Sequence, residues 1–278
     1  LFRRLFDNID EINLYPVDLT VLYSYFPYYS ELYKNDKKKL KKRLTEVIIK
    51  SFERINLHYN YFNINKIKKL ISSNIDSLDL QSKKEVILFI SRMWFSYTEK
   101  KNNSLPFMFK ETSQSIYFKE LKTYFKNLKM ISLIRDPRDN YAALKAGVDK
   151  YYSKIGENDK KTLASLINRS RMDLKSSIIN TINYPESFLA IKFENLIQNP
   201  KKEMKKVCKF LNIKFDISMI RPTFFGKPYF GNSHEGKKFR GISKSNLSQW
   251  KKRISPEEAM IIEFWLKDVM KDWKYKLN

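Results

Sequence analysis

The sequence predicts an α/β fold in which a mostly parallel central sheet is flanked by helices. Three short apolar segments bounded by turn-forming residues indicate strands at 106–109, 129–134 and 187–191. Segments of helical periodicity separate these strands, and this alternation is typical of a parallel sheet. With 278 residues, 42% of them hydrophobic, the chain is long enough for a sizeable core. We therefore treat residues 1–278 as a single domain.

Helices are predicted in the first half of the chain wherever apolar residues recur every three or four positions. Residues 1–12 read as a short amphipathic helix, and an irregular, aromatic-rich segment follows at 13–27. Four more helices are predicted at 36–52, 65–73, 82–98 and 113–125. The helix-dense region 36–100 is expected to be an insert that covers one edge of the sheet.

In the second half of the chain, proline residues and a capping sequence indicate where helices begin. A helix is predicted from Pro137 to Tyr152, directly after the strand at 129–134, and another at 160–182. Pro200 begins a helix to Leu211, since proline is tolerated at the first helical position. Ser255-Pro256-Glu257-Glu258 is a capping box that starts a helix to about Trp273.

Charge is the strongest compositional signal. The 54 Lys and Arg outnumber the 30 Asp and Glu, which gives a net charge of +24 and favours polyanionic ligands. Cys208 is the only cysteine, so no disulfide forms within the chain, and the composition argues against structural zinc. Apolar runs such as 86–90 are far shorter than the about 20 residues of a membrane span. We expect a cytoplasmic protein.

A basic motif, Arg135-Asp136-Pro137-Arg138-Asp139, follows the strand at 129–134. Ligands of open α/β sheets bind outside the carboxyl ends of the strands. An arginine beside a helix N-terminus suits a phosphate, because its fork binds two oxygens and backbone N–H groups add to the site. The alternative interpretation is a charged helix cap in which Arg135 pairs with Asp139.

This motif resembles one of the sulfotransferase family, enzymes that use the donor 3′-phosphoadenosine 5′-phosphosulfate. Three other stretches resemble family motifs in the family's order, so that the matches span about residues 105–255. They are Phe107-Met-Phe-Lys110-Glu111-Thr112; Ala190 to Leu196 with Pro200 and Phe210-Leu211; and Gly231-Asn-Ser233 with Arg240-Gly241 and 247–251. The resemblance implies a P-loop-NTPase-like sulfotransferase fold with a 3′-phosphate motif at 129–152 and a cofactor-closing loop at 226–254.

The sequence departs from the family pattern in several places. Family members carry a Lys/Arg-Ser-Gly-Thr-Thr loop that cradles the 5′-phosphosulfate, followed by a helix that 1–7 resembles. That loop is absent from the sequence, so we expect either a fragment or an unusual mode of donor binding. Ala143, Phe193 and Gln249 replace the family's Ser, Tyr and Lys. Each replacement is expected to weaken donor affinity by about 1 kcal/mol.

The resemblance also implies roles for individual residues. Lys110 matches the family's strand-end lysine and would stabilise the charge that develops on the leaving phosphate. Arg135 would bind the 3′-phosphate, helped by Ser233 and Arg240. Phe193 would stack on the adenine. The chemistry requires no metal, and no cluster of His and carboxylate residues indicates one.

The general base is less clearly marked. Some relatives carry a carboxylate just after the first helix, where this chain has Asp18, and others a histidine where this chain has Thr112. Asp18 is therefore the predicted base, and His234 is the other candidate. The alternative interpretation of Asp18 is a carboxylate that caps a turn or helix.

The acceptor and the competing functions stay open. The aromatic segment 15–33 and the helices of 36–100 are expected to form the acceptor pocket, for a hydroxyl or amine on a small molecule, carbohydrate, lipid or protein. No nucleic acid is expected beyond the donor nucleotide. A basic module that binds nucleic acid or acidic polymer through 37–43 and 201–206 is the alternative from another class. A small kinase and an inactive sulfotransferase relative are two further readings.

Overall fold

The computed structural model describes residues 1–99, 104–148, 158–231, 238–239 and 241–278. Two compact units make up this part of the chain. The smaller unit is Asp10–Gln114, and the larger unit combines Leu1–Ile9 with Ser115–Asn278. Both contain helices and a pair of parallel strands, which confirms the predicted α/β class.

The strands of the smaller unit are β1 (Asn13–Asp18) and β2 (Phe107–Lys110). They pair in parallel, with Asn13 opposite Phe107 and an irregular register before Asp18. The structure corrects the expectation of an irregular segment from residue 13. The strand β1 has no local sequence signal, because its partner β2 lies far along the sequence and Pro16 interrupts the strand pattern.

Two of the helices of the smaller unit match their predicted positions within one residue, whereas the helix predicted at 36–52 ends seven residues later than predicted. A π-helical segment at Val21–Tyr29 leads into a short turn of helix, α1 (Ser30–Leu32). The longer helices are α2 (Lys37–Tyr59), α3 (Ile64–Ser72) and α4 (Lys83–Thr98). The side chains of Asp36, Asn63 and Ser82 cap their N-termini by accepting backbone N–H groups.

The core of the smaller unit is aromatic. The ring of Tyr15 packs against Phe52, Trp94 and Phe109, with centroids 5.8, 5.9 and 5.3 Å away. Tyr25 is buried as well, and its hydroxyl donates to the carbonyl oxygen of Leu80 at 3.0 Å. Several aromatic residues that the sequence suggested for an acceptor pocket therefore serve the core.

The larger unit contains the second parallel pair, β3 (Met130–Ile134) and β4 (Phe188–Lys192). Like β2, these strands match their predicted positions within one residue. The helices before β4 are α5 (Phe118–Tyr124), α6 (Pro137–Gly147) and α7 (Asp159–Asn183). The predicted end of α6 at Tyr152 lies outside the described residues.

The second half of the larger unit is mainly helical, with α8 (Phe193–Gln198), α9 (Pro200–Leu211), α10 (Trp250–Arg253) and α11 (Pro256–Asp272). A short antiparallel pair, β5 (Thr223–Phe224) and β6 (Lys227–Pro228), precedes α10. The capping box of α11 is confirmed: the Ser255 hydroxyl accepts the Glu258 N–H at 3.2 Å, and the Glu258 carboxylate accepts the Ser255 N–H at 2.8 Å.

The N-terminal residues form a 3-10 helix at Phe2–Phe6 rather than the longer amphipathic helix expected for 1–12. The carboxylate of Asp7 accepts from the Thr223 hydroxyl and the Gly226 N–H, both at 2.9 Å, and so binds the hairpin of β5 and β6. Side chains from β3, α6, α7 and α11 share one core cluster. No helix in the described part of the chain is both long and apolar enough to cross a membrane.

Candidate active site

The carboxyl ends of both parallel strand pairs carry residues that the sequence singled out. Asp18 and Lys110 are the last residues of β1 and β2 and lie opposite each other in the ladder. Arg135 and Phe193 directly follow β3 and β4, whose last residues are also paired. Since ligands of α/β folds bind at this edge, each pair is a candidate functional position.

In the smaller unit, Asp18 lies between two cations. One carboxylate oxygen accepts from Arg54 Nη2 at 2.8 Å, and the other lies 3.3 Å from Lys110 Nζ. Positive charge at this distance stabilises the ionised carboxylate. Asp18 therefore pairs with side-chain cations, and the residue that directly precedes the π-helical segment is Thr20. Arg54 had no sequence signal, because α2 continues past its predicted end at 52.

Lys110 is half-exposed and also lies 3.4 Å from the hydroxyl of Thr112. Thr112 lies two residues beyond the end of β2. The ammonium of Lys110 is thus held at the strand end by a carboxylate and a hydroxyl. This arrangement leaves a positive charge accessible at the carboxyl end of β2.

Glu111, the neighbour of Lys110, was missed by the sequence reasoning. One of its carboxylate oxygens accepts the Thr112 N–H at 2.7 Å, and the carboxylate is largely buried. Burial raises the pKa of Glu111, and the charge of Asp18 raises it further, although Lys110 and backbone N–H groups oppose this. Glu111 therefore holds a proton at higher pH than an ordinary glutamate.

In the larger unit, Asp136 of the Arg-Asp-Pro-Arg-Asp motif caps α6, and the side chain of Arg138 forms ion pairs beside it. Its guanidinium donates to Asp136 through Nη2 at 2.7 Å and to Glu263 through Nη1 at 2.6 Å. Asp136 also accepts the backbone N–H of Arg138 at 2.9 Å as the N-cap of α6. All three side chains are buried, so this network is the structural part of the motif.

Asp139 connects the motif to the C-terminal segment. Its two carboxylate oxygens accept the backbone N–H groups of Ser248 and Trp250 at 2.8 and 3.0 Å. The guanidinium carbon of Arg138 lies 4.2 Å from the centre of the Trp250 ring. The structure thus brings together two stretches, 135–139 and 247–251, that the sequence analysis could only place in order.

Arg135 is half-buried, and its guanidinium carbon lies 4.8 Å from the centre of the Phe193 ring. Burial lowers the pKa of Arg135, while Asp139, Glu194 and Asp136 oppose the shift. Because an arginine pKa starts far above neutrality, the guanidinium stays charged. A cation and an aromatic face therefore lie side by side at the end of β3 and β4.

Two backbone N–H groups at the start of α6 already donate hydrogen bonds to carboxylates. The Asp136 N–H donates to Glu194 Oε1 at 2.9 Å, and the Arg138 N–H donates to Asp136. The sequence analysis expected backbone N–H groups to add to anion binding here, and these two do not. These two N–H groups are therefore not available to a ligand at the start of α6.

Glu194 is held from a second side by a residue that had no sequence signal. The hydroxyl of Tyr275 donates to Glu194 Oε2 at 3.3 Å, and Lys192 Nζ lies 4.3 Å above the Tyr275 ring. Burial raises the pKa of Glu194, although the Asp136 N–H and Arg135 oppose this. The C-terminal tail thus supports the residue next to Phe193.

Three predicted site residues, Ser233, His234 and Arg240, lie outside the described residues. Gly231, at the start of their segment, has φ +85°, and a Cβ there would lie 2.9 Å from the Phe239 ring. Only glycine fits without displacement of that ring. Within the described ranges, no three His, Cys, Asp or Glu side chains come together as metal ligands.

Comparison with known proteins decides the family. A model described as "Sulfotransferase family" matches residues 28–216, well over half of the chain. The chain belongs to the sulfotransferase family. The predicted membership of the sulfotransferase family is confirmed, as is the prediction that the protein is a sulfotransferase enzyme.

Solved structures share the fold of this sulfotransferase at low sequence identity. The sulfotransferase domain from the curacin biosynthetic pathway is 17% identical with a TM-score of 0.59, covering 100% of this chain and 93% of that domain. The sulfotransferase domain from the Synechococcus PCC 7002 olefin synthase is 12% identical with a TM-score of 0.56, covering 100% and 90%. No curated protein matches the sequence.

Proposed function

We propose that this sulfotransferase moves a sulfuryl group from 3′-phosphoadenosine 5′-phosphosulfate to a hydroxyl or amine by in-line displacement. The observation that carries the proposal is the contact of Arg135 with Phe193 at the carboxyl end of β3 and β4. The donor presents a phosphate beside a purine. A guanidinium fork binds such a phosphate through two oxygens, and an aromatic ring stacks on the base.

In this proposal Ser233 and Arg240 add contacts to the 3′-phosphate, as the family resemblance implies. Arg138 and Asp139 do not touch the donor. They anchor Ser248 and Trp250 to the start of α6. The family's loop for the 5′-phosphosulfate has no counterpart within residues 1–278.

The transfer breaks the bond between sulfur and the bridging oxygen of the donor and forms a bond between sulfur and the acceptor atom. Negative charge develops on the departing phosphate, and the accessible ammonium of Lys110 is proposed to stabilise it. The acceptor's proton passes to a carboxylate. Positioning and electrostatics supply most of the rate enhancement in such displacements.

Asp18 is the proposed general base, because its carboxylate lies beside two cations and its side chain is partly accessible. Glu111 is a second candidate, favoured by its position next to Lys110, its burial and its raised pKa. A base with a pKa closer to the working pH is the more effective catalyst. The two candidates predict different pH profiles.

The acceptor is proposed to be a small molecule, carbohydrate, lipid or protein, with no nucleic acid partner beyond the donor. The single cysteine, Cys208, favours a reducing compartment, and we propose the cytoplasm. We also propose that residues 1–278 belong to a single sulfotransferase domain. The basic module for nucleic acid or acidic polymer remains the competing function.

Binding of 3′,5′-bisphosphoadenosine tests the donor site. We expect this nucleotide to raise the melting temperature of the protein more than ATP does. Arg135→Ala should weaken its binding about 100-fold by calorimetry, since hydrogen bonds to charged groups contribute about 1.5–3 kcal/mol each. Arg221→Ala, which removes an exposed arginine of the same unit, should leave affinity unchanged. Stabilisation by duplex DNA alone would instead support the basic module.

Measurement of kcat/KM as a function of pH distinguishes Asp18 from Glu111 as the general base. If Asp18 acts, Asp18→Asn should lower kcat by about 10²–10⁴-fold, the usual contribution of general base catalysis, and Glu111→Gln should leave it near wild type. If Glu111 acts, activity falls on acidification at higher pH than for an ordinary glutamate, because its pKa is raised. Glu111→Gln would then remove that limb of the profile. Full turnover by Asp18→Asn would exclude Asp18.

A further inference from the structure

The side chain of Glu194 connects the ends of the two strands that carry Arg135 and Phe193. The last residues of β3 and β4 are paired, and β4 is followed at once by α8, whereas β3 is followed by Arg135 and the N-cap of α6, Asp136. Glu194 Oε1 accepts the Asp136 N–H at 2.9 Å. This hydrogen bond joins the start of α8 to the start of α6, beside both residues of the proposed donor site.

The C-terminal tail holds the other oxygen of the same carboxylate. The Tyr275 hydroxyl donates to Glu194 Oε2 at 3.3 Å, and the Tyr275 N–H donates to the Met270 carbonyl oxygen at 2.8 Å, which fixes the tail to the end of α11. Burial and the charge of Glu194 raise the pKa of Tyr275, so its hydroxyl keeps its proton. With a donor on each oxygen, the carboxylate of Glu194 has a defined orientation.

The negative charge of Glu194 acts on the guanidinium that the proposed donor site uses. Burial raises the pKa of Glu194, while the Asp136 N–H and the charge of Arg135 oppose the shift. A phosphate on Arg135 adds negative charge beside this carboxylate, so phosphate binding is favoured when Glu194 is protonated. Among the described residues, the ionisable groups that surround Glu194 are Arg135 and Asp136 before α6, Lys192 at the end of β4, and Tyr275 in the tail.

We propose that Glu194, oriented by Tyr275, is a positioning residue of the donor site and takes up a proton from solvent when the donor's phosphate binds to Arg135. This inference rests on the proposed function of Arg135 and Phe193. The Tyr275 hydroxyl suits both states of Glu194, because it donates to the ionised carboxylate and can accept from the protonated carboxyl group. The two strand ends therefore stay joined when the proton binds.

Calorimetric titration with 3′,5′-bisphosphoadenosine tests the positioning role. Glu194→Ala should bind this nucleotide about 10-fold more weakly than Glu194→Gln, because both variants lack the charge and only glutamine can keep the hydrogen bonds to Asp136 and Tyr275. Tyr275→Phe should weaken binding about 3–10-fold. The matched control is Tyr124→Phe, which removes another tyrosine–glutamate hydrogen bond of the same unit, 3.0 Å long to Glu120, and should leave affinity unchanged.

Proton uptake distinguishes this role from a merely structural one. At alkaline pH, Glu194→Gln should bind the nucleotide about 3–10-fold more tightly than wild type, which corresponds to a rise of about half to one pH unit in the pKa of Glu194 on binding. On acidification through the raised pKa of Glu194, the wild-type affinity should approach that of Glu194→Gln. The nucleotide's own phosphates titrate alike in both titrations, so the ratio of the two dissociation constants reports Glu194.

The outcomes separate this inference from the proposed donor site. Equal affinities of Glu194→Ala and Glu194→Gln would overturn the positioning role, and a ratio of wild type to Glu194→Gln that does not change with pH would overturn the proton uptake. Melting temperatures report whether each variant is folded, and Tyr275→Phe tests the same contact if Glu194→Ala is not. Binding that depends on Arg135 but not on Glu194 would refute this inference alone, whereas a wild-type protein that does not bind the nucleotide would refute the donor site as well.

Discussion

Replacement of Lys110 by methionine is expected to lower kcat about 10²–10³-fold and to change the KM for the donor much less. The proposed role of its ammonium is to stabilise charge that develops only as the sulfuryl group leaves. In other enzymes, removal of one preorganised group that stabilises charge in the transition state lowers kcat by a similar factor. Methionine keeps most of the length of the side chain, so the change isolates the charge.

The design of this experiment depends on the neighbours of Lys110. Asp18 keeps its hydrogen bond with Arg54 in the variant, so the carboxylate is not left without a cation. The melting temperature should therefore stay close to wild type. Lys66→Met, which removes an exposed lysine of the same unit, is the matched control and should leave kcat unchanged. A variant at position 110 that retains kcat within about threefold would remove Lys110 from the mechanism.

Replacement of Arg138 by leucine is expected to destabilise the protein by about 3–5 kcal/mol. The side chains of Arg138, Asp136 and Glu263 are only 5%, 10% and 11% exposed. Removal of the cation leaves two carboxylates in a site where water cannot replace its hydrogen bonds. The contact with the Trp250 ring is lost as well.

Denaturant unfolding of the protein would measure this loss of stability. Arg171→Leu breaks an exposed ion pair of the same unit with Asp268 and should cost less than about 1 kcal/mol. The Arg138 variant should also bind 3′,5′-bisphosphoadenosine more weakly, because the segment around Trp250 loses its anchor. A loss of stability below about 1 kcal/mol would mean that the carboxylates reach solvent and that the network contributes little.

The second half of the fold was largely predictable from local sequence signals. The strands β3 and β4 match within one residue, because short apolar runs between turn residues have few alternatives. Pro200 and the capping box at Ser255 mark helix starts by fixed stereochemistry. In contrast, β1 was missed, since its partner β2 lies far along the chain and Pro16 obscures the pattern.

The candidate site was predictable only in part. Lys110 and Arg135 stand at strand ends in a recognisable order, so the family pattern marked them without any structure. Arg54, Glu111 and Tyr275 have no such signal, because their importance comes from what they contact. The ion pairs of Arg138 also had no sequence signal, because one of its partners, Glu263, lies on a distant helix.

The sequence by itself determined the family, the α/β class and the two basic residues at the strand ends, because these depend on local pattern and motif order. Tertiary structure decided which charges are structural and which are accessible. Arg138 is buried by α11, whereas Lys110 keeps an accessible ammonium beside Asp18. It also decided which apolar residues stay uncovered: Phe264 lies on the outer face of a helix whose other face fills the core. Burial and pairing depend on contacts between distant segments, which no local sequence pattern records.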